Sequence, residues 1–150
     1  MDIQDAESKR ETSFYEHKLT HRDIKPTAMR MLILRTMMRG NEAVSLPDLE
    51  RLLLTVDKST ISRTLTLFHE HRLIHTIDDG SGAVKYAVCS DDCDCSVSME
   101  HTHFYCEVCH RTFCFEQQAV PVVQPPSGFK VDSINYVMKG CCPECSLKTE

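Results

Sequence analysis

The chemistry of this chain is concentrated in nine cysteines, all of which lie between Cys89 and Cys145. Two C-x-x-C motifs begin at Cys106 and Cys142 and are separated by 32 residues. Each motif lets two thiolates converge on one ion from a tight turn, and four thiolates form the closed tetrahedral site typical of structural zinc. We therefore predict one structural Zn²⁺ per chain, with the ligands Cys106, Cys109, Cys142 and Cys145.

Further metal donors surround the first motif. Two histidines alternate along a predicted strand, which puts both rings on one face, where they either bind a second metal or are surface histidines. Three cysteines interleaved with aspartates precede them and are either ligands or idle thiols in a connector. A cysteine between two phenylalanines follows, a position more typical of a small buried hydrophobe. The candidates for a regulatory site are His101, His103, Cys89, Cys93, Cys95 and Cys114.

The cysteines predict metal binding rather than disulfides or redox catalysis. Their number is odd and no secretion signal accompanies them, since Met1 to Glu11 is acidic and polar. A thiol redox enzyme needs a reactive low-pKa cysteine, which a closed four-thiolate site does not supply, so we predict no enzyme. No apolar run approaches the ~20 residues of a membrane helix. We expect a soluble, cytoplasmic protein without membrane contact.

The elements that position these residues divide the chain into two halves of different charge. Residues 1–88 hold 13 Lys/Arg and 13 Asp/Glu, whereas residues 89–150 hold 4 and 9, which accounts for the net charge of −5. Hydrophobic residues make up 41% and charged residues 26%, an ordinary globular composition. We predict a DNA-binding domain over 1–88, a hinge loop over 89–100 and a zinc-binding domain over 101–150.

The first half predicts three short helices followed by a β-hairpin. The helices begin near Thr27, Ser45 and Asp57, and Ser45 and Asp57 are predicted N-caps. Residues 74–77 and 84–88 flank a glycine-containing turn and predict the hairpin. This is the order of a winged helix-turn-helix, in which the third helix enters the major groove, although a small helical bundle has the same pattern.

Basic and hydroxyl side chains on the first and third helices predict DNA contacts. The outward face of the third helix carries short donors suited to base edges and phosphates. The basic stretch before and within the first helix adds positive charge, and local charge decides nucleic-acid contact even in an acidic protein. The predicted DNA-binding residues are Lys25, Arg30, Lys58, Ser59, Thr60, Ser62 and Arg63.

The second half predicts short strands at Phe104-Tyr105, Thr112 to Phe115 and Phe129 to Met138, with an irregular proline-rich segment from Pro121 to Pro126. It contains few aliphatic residues, so we expect the metal to substitute for part of a core. The whole chain is predicted to be α+β, a winged helix-turn-helix followed by a small zinc-stapled α/β dimerisation lobe.

These motifs, in this order, resemble the ferric uptake regulator family of metal-dependent transcriptional repressors. The resemblance runs from about Lys25 to Cys145 and includes S-T-I-S-R-T-L, H-x-H-x-x-C-x-x-C, G-F-x-V and G-x-C-P-E-C. It implies a homodimer that binds a palindromic double-stranded DNA operator. It also implies that the four motif cysteines hold the structural zinc, that His101 and His103 are ligands of the sensing site, and that Lys25, Thr60 and Arg63 belong to the DNA-binding surface.

The sequence departs from the family at its sensing site and in its recognition helix. Ser62 stands where the family usually has tyrosine, and Cys114 where glutamate is common. The expected hinge histidine is Ala43 or Glu42, and an expected acidic ligand is Ala87. The resemblance does not identify the regulatory metal, which is Zn²⁺, Fe²⁺ or Mn²⁺. A mixed Cys/His ligand set is softer than His/carboxylate and favours zinc.

We therefore predict a repressor that controls metal homeostasis or oxidative-stress genes. The alternative is a zinc-stabilised module that binds protein or RNA without sensing metal. Operator binding that does not depend on exchangeable metal, or no DNA binding at all, would distinguish the alternatives.

Overall fold

The computed structural model describes residues 3–40, 42–92, 101–132 and 134–148. Helices and strands alternate irregularly along these ranges, and the chain is α+β as predicted. The elements in chain order are α1 (Ile3–Thr20), α2 (Ala28–Met37), β1 (Glu42–Ser45), α3 (Leu46–Leu52), α4 (Lys58–Glu70), β2 (Ile74–Ile77), β3 (Lys85–Val88), β4 (His101–Cys106), β5 (Thr112–Ala119), β6 (Val137–Gly140) and α5 (Pro143–Lys148).

The three predicted helix starts are confirmed, and each has an N-cap. The side chain of Thr27 accepts a hydrogen bond from the backbone of Arg30 at the start of α2. Ser45 and Asp48 form a reciprocal capping box at α3, and the Asp57 carboxylate accepts from the Thr60 backbone at α4. Each cap satisfies an N–H group that the first helical turn leaves without an intrahelical partner. Local sequence therefore determines where α2, α3 and α4 begin.

The helices pack around one apolar core. The fully buried side chains include Ile33 from α2, Leu49 from α3, and Ile61 and Phe68 from α4. α1, which the sequence reading missed, contributes Leu19 to the same core. The other apolar residues of α1 do not recur at helical spacing, so no amphipathic stripe marks this helix in the sequence.

Some apolar residues of α2 and α3 are exposed. Leu52 at the end of α3 is 60% exposed, and Met29 and Leu32 of α2 are 38% and 39% exposed. Both helices are short, so only one side of each faces the core, and the apolar residues beyond that side remain in solvent.

One sheet runs through both halves of the molecule. Its strand order is β2-β3-β1-β5-β4-β6, and the β2–β3 hairpin is the predicted wing. β1 pairs with β3 on one side, with Val44 opposite Tyr86, and with β5 on the other, with Ala43 opposite Thr112. Four residues of β1 therefore connect the wing to the strands that carry the first cysteine motif.

The second half is built around β4, which pairs antiparallel with β5 and parallel with β6. The long strand predicted for Phe129 to Met138 is wrong, because only Val137–Gly140 is extended into the sheet among its described residues. The irregular segment from Pro121 to Pro126 is confirmed. Proline cannot donate to a ladder, so pairing resumes only beyond this region.

Candidate metal centres and nucleic-acid interface

The two cysteine motifs meet at one edge of the sheet. Cys106 is the last residue of β4 and lies opposite Gly140, the last residue of the parallel strand β6. Because parallel strands end at the same edge, the turn after β4 and the start of α5 are brought together. The cluster is buried, with Cys106, Cys142 and Cys145 at most 6% exposed.

The spacing of the four sulfur atoms fits a tetrahedral zinc ion. All four Sγ atoms lie within 4.8 Å of one another, and those of Cys109 and Cys142 are 3.8 Å apart. A Zn–S distance of about 2.3 Å in a regular tetrahedron requires sulfur atoms about 3.8 Å apart. The four-cysteine cluster therefore fits a structural zinc site. When bound, the ion would supply a cross-link between the two motifs rather than a reactive centre.

Hydrogen bonds prepare part of this cluster for metal binding. Backbone N–H groups of Cys109 and Cys142 lower the pKa of Cys106 to about 6. The Arg111 guanidinium, whose Nε lies 3.3 Å from the Cys109 sulfur, lowers the pKa of Cys109. Burial raises the pKa of Cys145 to about 12, and the neighbouring cysteines add to this effect. Because the raised pKa keeps the Cys145 thiol protonated at neutral pH, zinc binding there must release a proton.

A second group of metal donors lies where the wing meets the sheet of the second half. His75 of β2 has its Nδ1 atom 3.1 Å from the sulfur of Cys89, which follows β3. Its ring stacks on His103 of β4, with centroids 5.5 Å apart and planes 14° from parallel. Cys114 lies opposite His103 in the β4–β5 ladder. We call His75, Cys89, His103 and Cys114 the junction cluster.

The junction cluster is sheltered but is not a closed site in this conformation. His103 is 4% exposed and Cys89 is 2% exposed. Cys89 and Cys114 line one cavity of about 340 Å³, between α1, α2 and β3. Among the residues that the structure describes, only the four motif cysteines bring three or more ligand atoms within 4.8 Å. Metal binding at the junction therefore requires the donor atoms to come closer together.

The structure brings some of the predicted regulatory ligands together and does not describe others. His103, Cys89 and Cys114 do meet at the junction. His101 begins β4, at a point where the pairing register shifts, and its side chain lies outside the described part of the chain. Cys93 and Cys95 also lie outside the described residues. The pairing of His101 with His103 as ligands thus stays a prediction.

His75 is the junction residue that sequence reasoning missed. The hairpin register places it opposite Ala87, two residues before Cys89. The signal was therefore available in the predicted hairpin, since aligning its two strands about the turn brings this histidine near that cysteine. A lone histidine in a short predicted strand gave no reason to look for a metal ligand there.

The α4 residues predicted to contact DNA lie at or near its exposed face. The side chains of Lys58, Ser62 and Arg63 face solvent, whereas Ile61 packs into the core. Hydrogen bonds from Ser59 and Thr60 lower the pKa of Asp57 to about 2, so these two hydroxyls serve the helix cap. That leaves the serine and the two basic residues as the α4 side chains best placed to contact bases or phosphates, with Ser59 and Thr60 still predicted contacts.

Two predicted DNA-contacting residues lie at the N-terminus of α2, Lys25 before the helix and Arg30 in its first turn. Lys25 is exposed, and the Arg30 guanidinium donates to the Lys25 carbonyl oxygen over 2.7 Å. This contact fixes one arm of the guanidinium while the Lys25 ammonium remains in solvent. The assignment of both residues to the DNA surface stays a prediction.

A winged helix joined to a sheet with a four-cysteine metal site defines a class of metal-binding, DNA-binding regulators. The model of the ferric uptake regulator family matches residues 21–136. The chain belongs to this family of metal-responsive, non-enzymatic transcription factors. No curated protein matches the sequence. Among the described residues, no helix is both long and apolar enough to cross a membrane.

Solved structures of related regulators share the fold. A zinc uptake regulator complexed with zinc and DNA matches with a TM-score of 0.66 at 17% identity, over 94% of this chain and 96% of that chain. The Vibrio cholerae ferric uptake regulator gives 0.59 at 14% identity, over 85% and 98%. The Helicobacter pylori ferric uptake regulator gives 0.55 at 14% identity, over 92% and 93%. At these identities the likeness shows the fold alone.

Proposed function

We propose that this protein is a homodimeric, zinc-responsive repressor that binds a palindromic DNA operator. The observation that carries this proposal is the junction cluster, in which His75 and Cys89 come from the wing half and His103 and Cys114 from the half with the structural zinc site. A metal ion bound there contacts both halves at once. Its binding therefore depends on how the two halves are arranged.

The donor types favour zinc. Two imidazoles and two thiols form a softer set than the carboxylate-rich sites that suit ferrous or manganous ion. The similar structure that contains zinc and DNA is itself a zinc uptake regulator, which agrees with this choice. His101 remains an additional candidate ligand, and Cys93 and Cys95 remain candidates from the hinge loop.

Regulation would follow because the metal binds one arrangement of the two halves more tightly than another. A ligand shifts an equilibrium only by binding one state better than the other. Metal at the junction cluster favours the arrangement in which wing and β4 are close, which fixes the direction of α4. In a dimer, two recognition helices must be about 34 Å apart to enter successive major grooves, so fixing their direction raises operator affinity.

The experiment is metal analysis of the purified protein before and after mild chelation, with operator binding measured in both states. We expect two zinc ions per chain before chelation and one after it, with operator affinity falling by about 5- to 150-fold. Equal affinity in both states would mean a constitutive DNA binder. Absence of DNA binding in both states would favour the alternative of a protein- or RNA-binding zinc module.

The double variant His75→Ala/His103→Ala separates the junction cluster from the structural site. It should keep one zinc per chain and the dimer, and its operator affinity should no longer respond to metal. His69→Ala, which removes an exposed histidine of α4, is the control for metal content. A double variant that still binds two metals and still responds would exclude the junction cluster as the sensing site.

A further inference from the structure

Arg111 touches both halves of the molecule with one guanidinium. Its Nε lies 3.3 Å from the sulfur of Cys109, and Nη2 lies 3.9 Å from that of Cys142. Nη2 also donates to Glu144 over 2.5 Å. On the opposite side, Nη1 donates to Glu42 of β1 over 3.2 Å. The zinc ligands and the first residue of β1 therefore share one partner.

The surroundings hold this guanidinium in place. It lies over the Phe113 ring, 5.2 Å from the centroid. The next residue, Thr112, pairs with Ala43 of β1, and the carbonyl of the preceding residue accepts a hydrogen bond from Lys85 of the wing. Residues 110–112 thus follow the first cysteine motif directly and attach to both β1 and the wing.

We propose that Arg111 is a positioning residue that couples the four-cysteine zinc site to β1 and so to the DNA-binding half. The proposal rests on zinc occupying that site, as the proposed function requires. Zinc fixes the two sulfur atoms, the sulfur atoms fix the guanidinium, and the guanidinium fixes Glu42. β1 runs directly into α3 through the Ser45 cap, and α3 packs against α4.

The shared geometry distinguishes this arrangement from an ordinary surface ion pair. An isolated half-exposed pair between flexible side chains contributes little. Here two sulfur atoms, two carboxylates and an aromatic ring constrain one planar group, and a planar fork loses little freedom per hydrogen bond. Partners that hydrogen-bond to metal ligands tune affinity by about 10- to 100-fold. Coupling between two sites is also reciprocal, so a change at β1 must alter the affinity of the four cysteines for zinc.

The first measurement is the rate of zinc release to excess chelator. Arg111→Ala should release zinc about tenfold faster than wild type. Glu42→Gln should release it about two- to threefold faster, although Glu42 is not a ligand and lies in the other half. Glu50→Gln, which removes a carboxylate of the same charge from α3, should match wild type. In the Arg111→Ala background, Glu42→Gln should have no further effect.

The second measurement is amide hydrogen exchange with zinc in excess, so that every variant keeps one zinc at the four cysteines. Exchange over residues 42–45 should be about two- to threefold faster in Arg111→Ala, because the variant loses the contact with Glu42. Bound zinc alone would not produce this change. Arg111→Lys keeps the charge, but its ammonium cannot contact the cysteine sulfur atoms and Glu42 at once, so exchange over residues 42–45 should again be faster than in wild type. This variant provides the test if the alanine variant does not fold.

Two results would overturn the proposal while leaving the proposed function intact. One is zinc release from Glu42→Gln at the wild-type rate. The other is unchanged exchange over residues 42–45 in the zinc-saturated Arg111 variants. A wild-type protein that holds no zinc at the four cysteines would overturn both proposals, and metal analysis detects that case first.

Discussion

Replacing Lys85 by methionine tests how much a buried ion pair of the wing, which also hydrogen-bonds Thr112 of the second half, contributes to stability. The Lys85 ammonium lies 3.2 Å from the Asp79 carboxylate and donates to the Thr112 hydroxyl over 3.1 Å. That hydroxyl donates in turn to Asp79 over 2.6 Å. The side chains of the pair are 8% and 0% exposed. Methionine has a similar length, so the substitution removes the charge with little change in volume.

The expected cost follows from leaving a carboxylate without its cation. Burial disfavours the charged form of Asp79, but hydrogen bonds from Ser81, Thr112 and Lys85 outweigh it and lower the pKa to about 2. Asp79 is therefore ionised at neutral pH, and removing the cation from a buried pair costs about 3–5 kcal/mol. Removing both charges costs much less, because no buried charge is left unpaired.

The assay is urea unfolding of zinc-saturated protein, followed by far-UV circular dichroism. Lys85→Met and Asp79→Leu should each lower the free energy of unfolding by about 3 kcal/mol or more. The double variant should lose at least about 2 kcal/mol less than the sum of the two. Lys130→Met, at an exposed loop position, should change it by about 0.5 kcal/mol or less.

The same pair predicts a pH dependence of definite sign. The pKa of Asp79 is lower in the folded state than in the unfolded chain, so its contribution is complete above the unfolded pKa of about 4. It is lost as the pH falls towards the folded value of about 2. The stability difference between wild type and Asp79→Leu should therefore stay constant from pH 8 to about 5 and shrink below about 4. Additive single and double variants at pH 7, or a Lys85→Met cost below about 1 kcal/mol, would refute the reasoning.

Three further predictions concern DNA and metal. Arg63→Ala should weaken operator binding and reduce the slope of log affinity against log salt by about one, whereas Lys130→Ala should not; a wild-type slope in a binding titration would show that α4 is not the reading helix. Cys145→Ser should lose the structural zinc by metal analysis, whereas Cys141→Ser should keep it, and equal zinc in both would contradict the ligand assignment. His75→Ala should lose the exchangeable metal and retain the cysteine-bound zinc, and two bound metals per chain would count against the junction cluster.

Local signals made much of the fold predictable. The caps at Thr27, Ser45 and Asp57 depend on hydrogen bonds within three residues, so the sequence alone places them. The two cysteine motifs are equally local, because each places its own two sulfur atoms. That the motifs would meet followed from the chemistry of a closed zinc site.

Non-local contacts account for what the sequence did not predict. β1 has four residues and lies in the sheet because β3 and β5 bind it on both sides. α1 lacks a regular apolar stripe and is held by Leu19 in the core and by an ion pair from Lys18 to Asp91 over 3.1 Å. Asp91 lies 73 residues away in the chain. The strand predicted over 129–138 has a composition suited to a strand, but most of that segment has no pairing partner among the described strands.

The position of β1 limits how a regulatory metal can act. Only two residue pairs, Glu42 with Phe113 and Ala43 with Thr112, join β1 to β5 among the described residues. A ladder this short is weak on its own, and the hydrogen bonds of Lys85 to His110 and Thr112 and the Arg111–Glu42 ion pair add to it. A wide rotation of the winged helix would break all three contacts together. We therefore expect metal at the junction cluster to act by suppressing small local openings between β1 and β5. Operator affinity should then change in parallel with the protection of the β1 amides from hydrogen exchange.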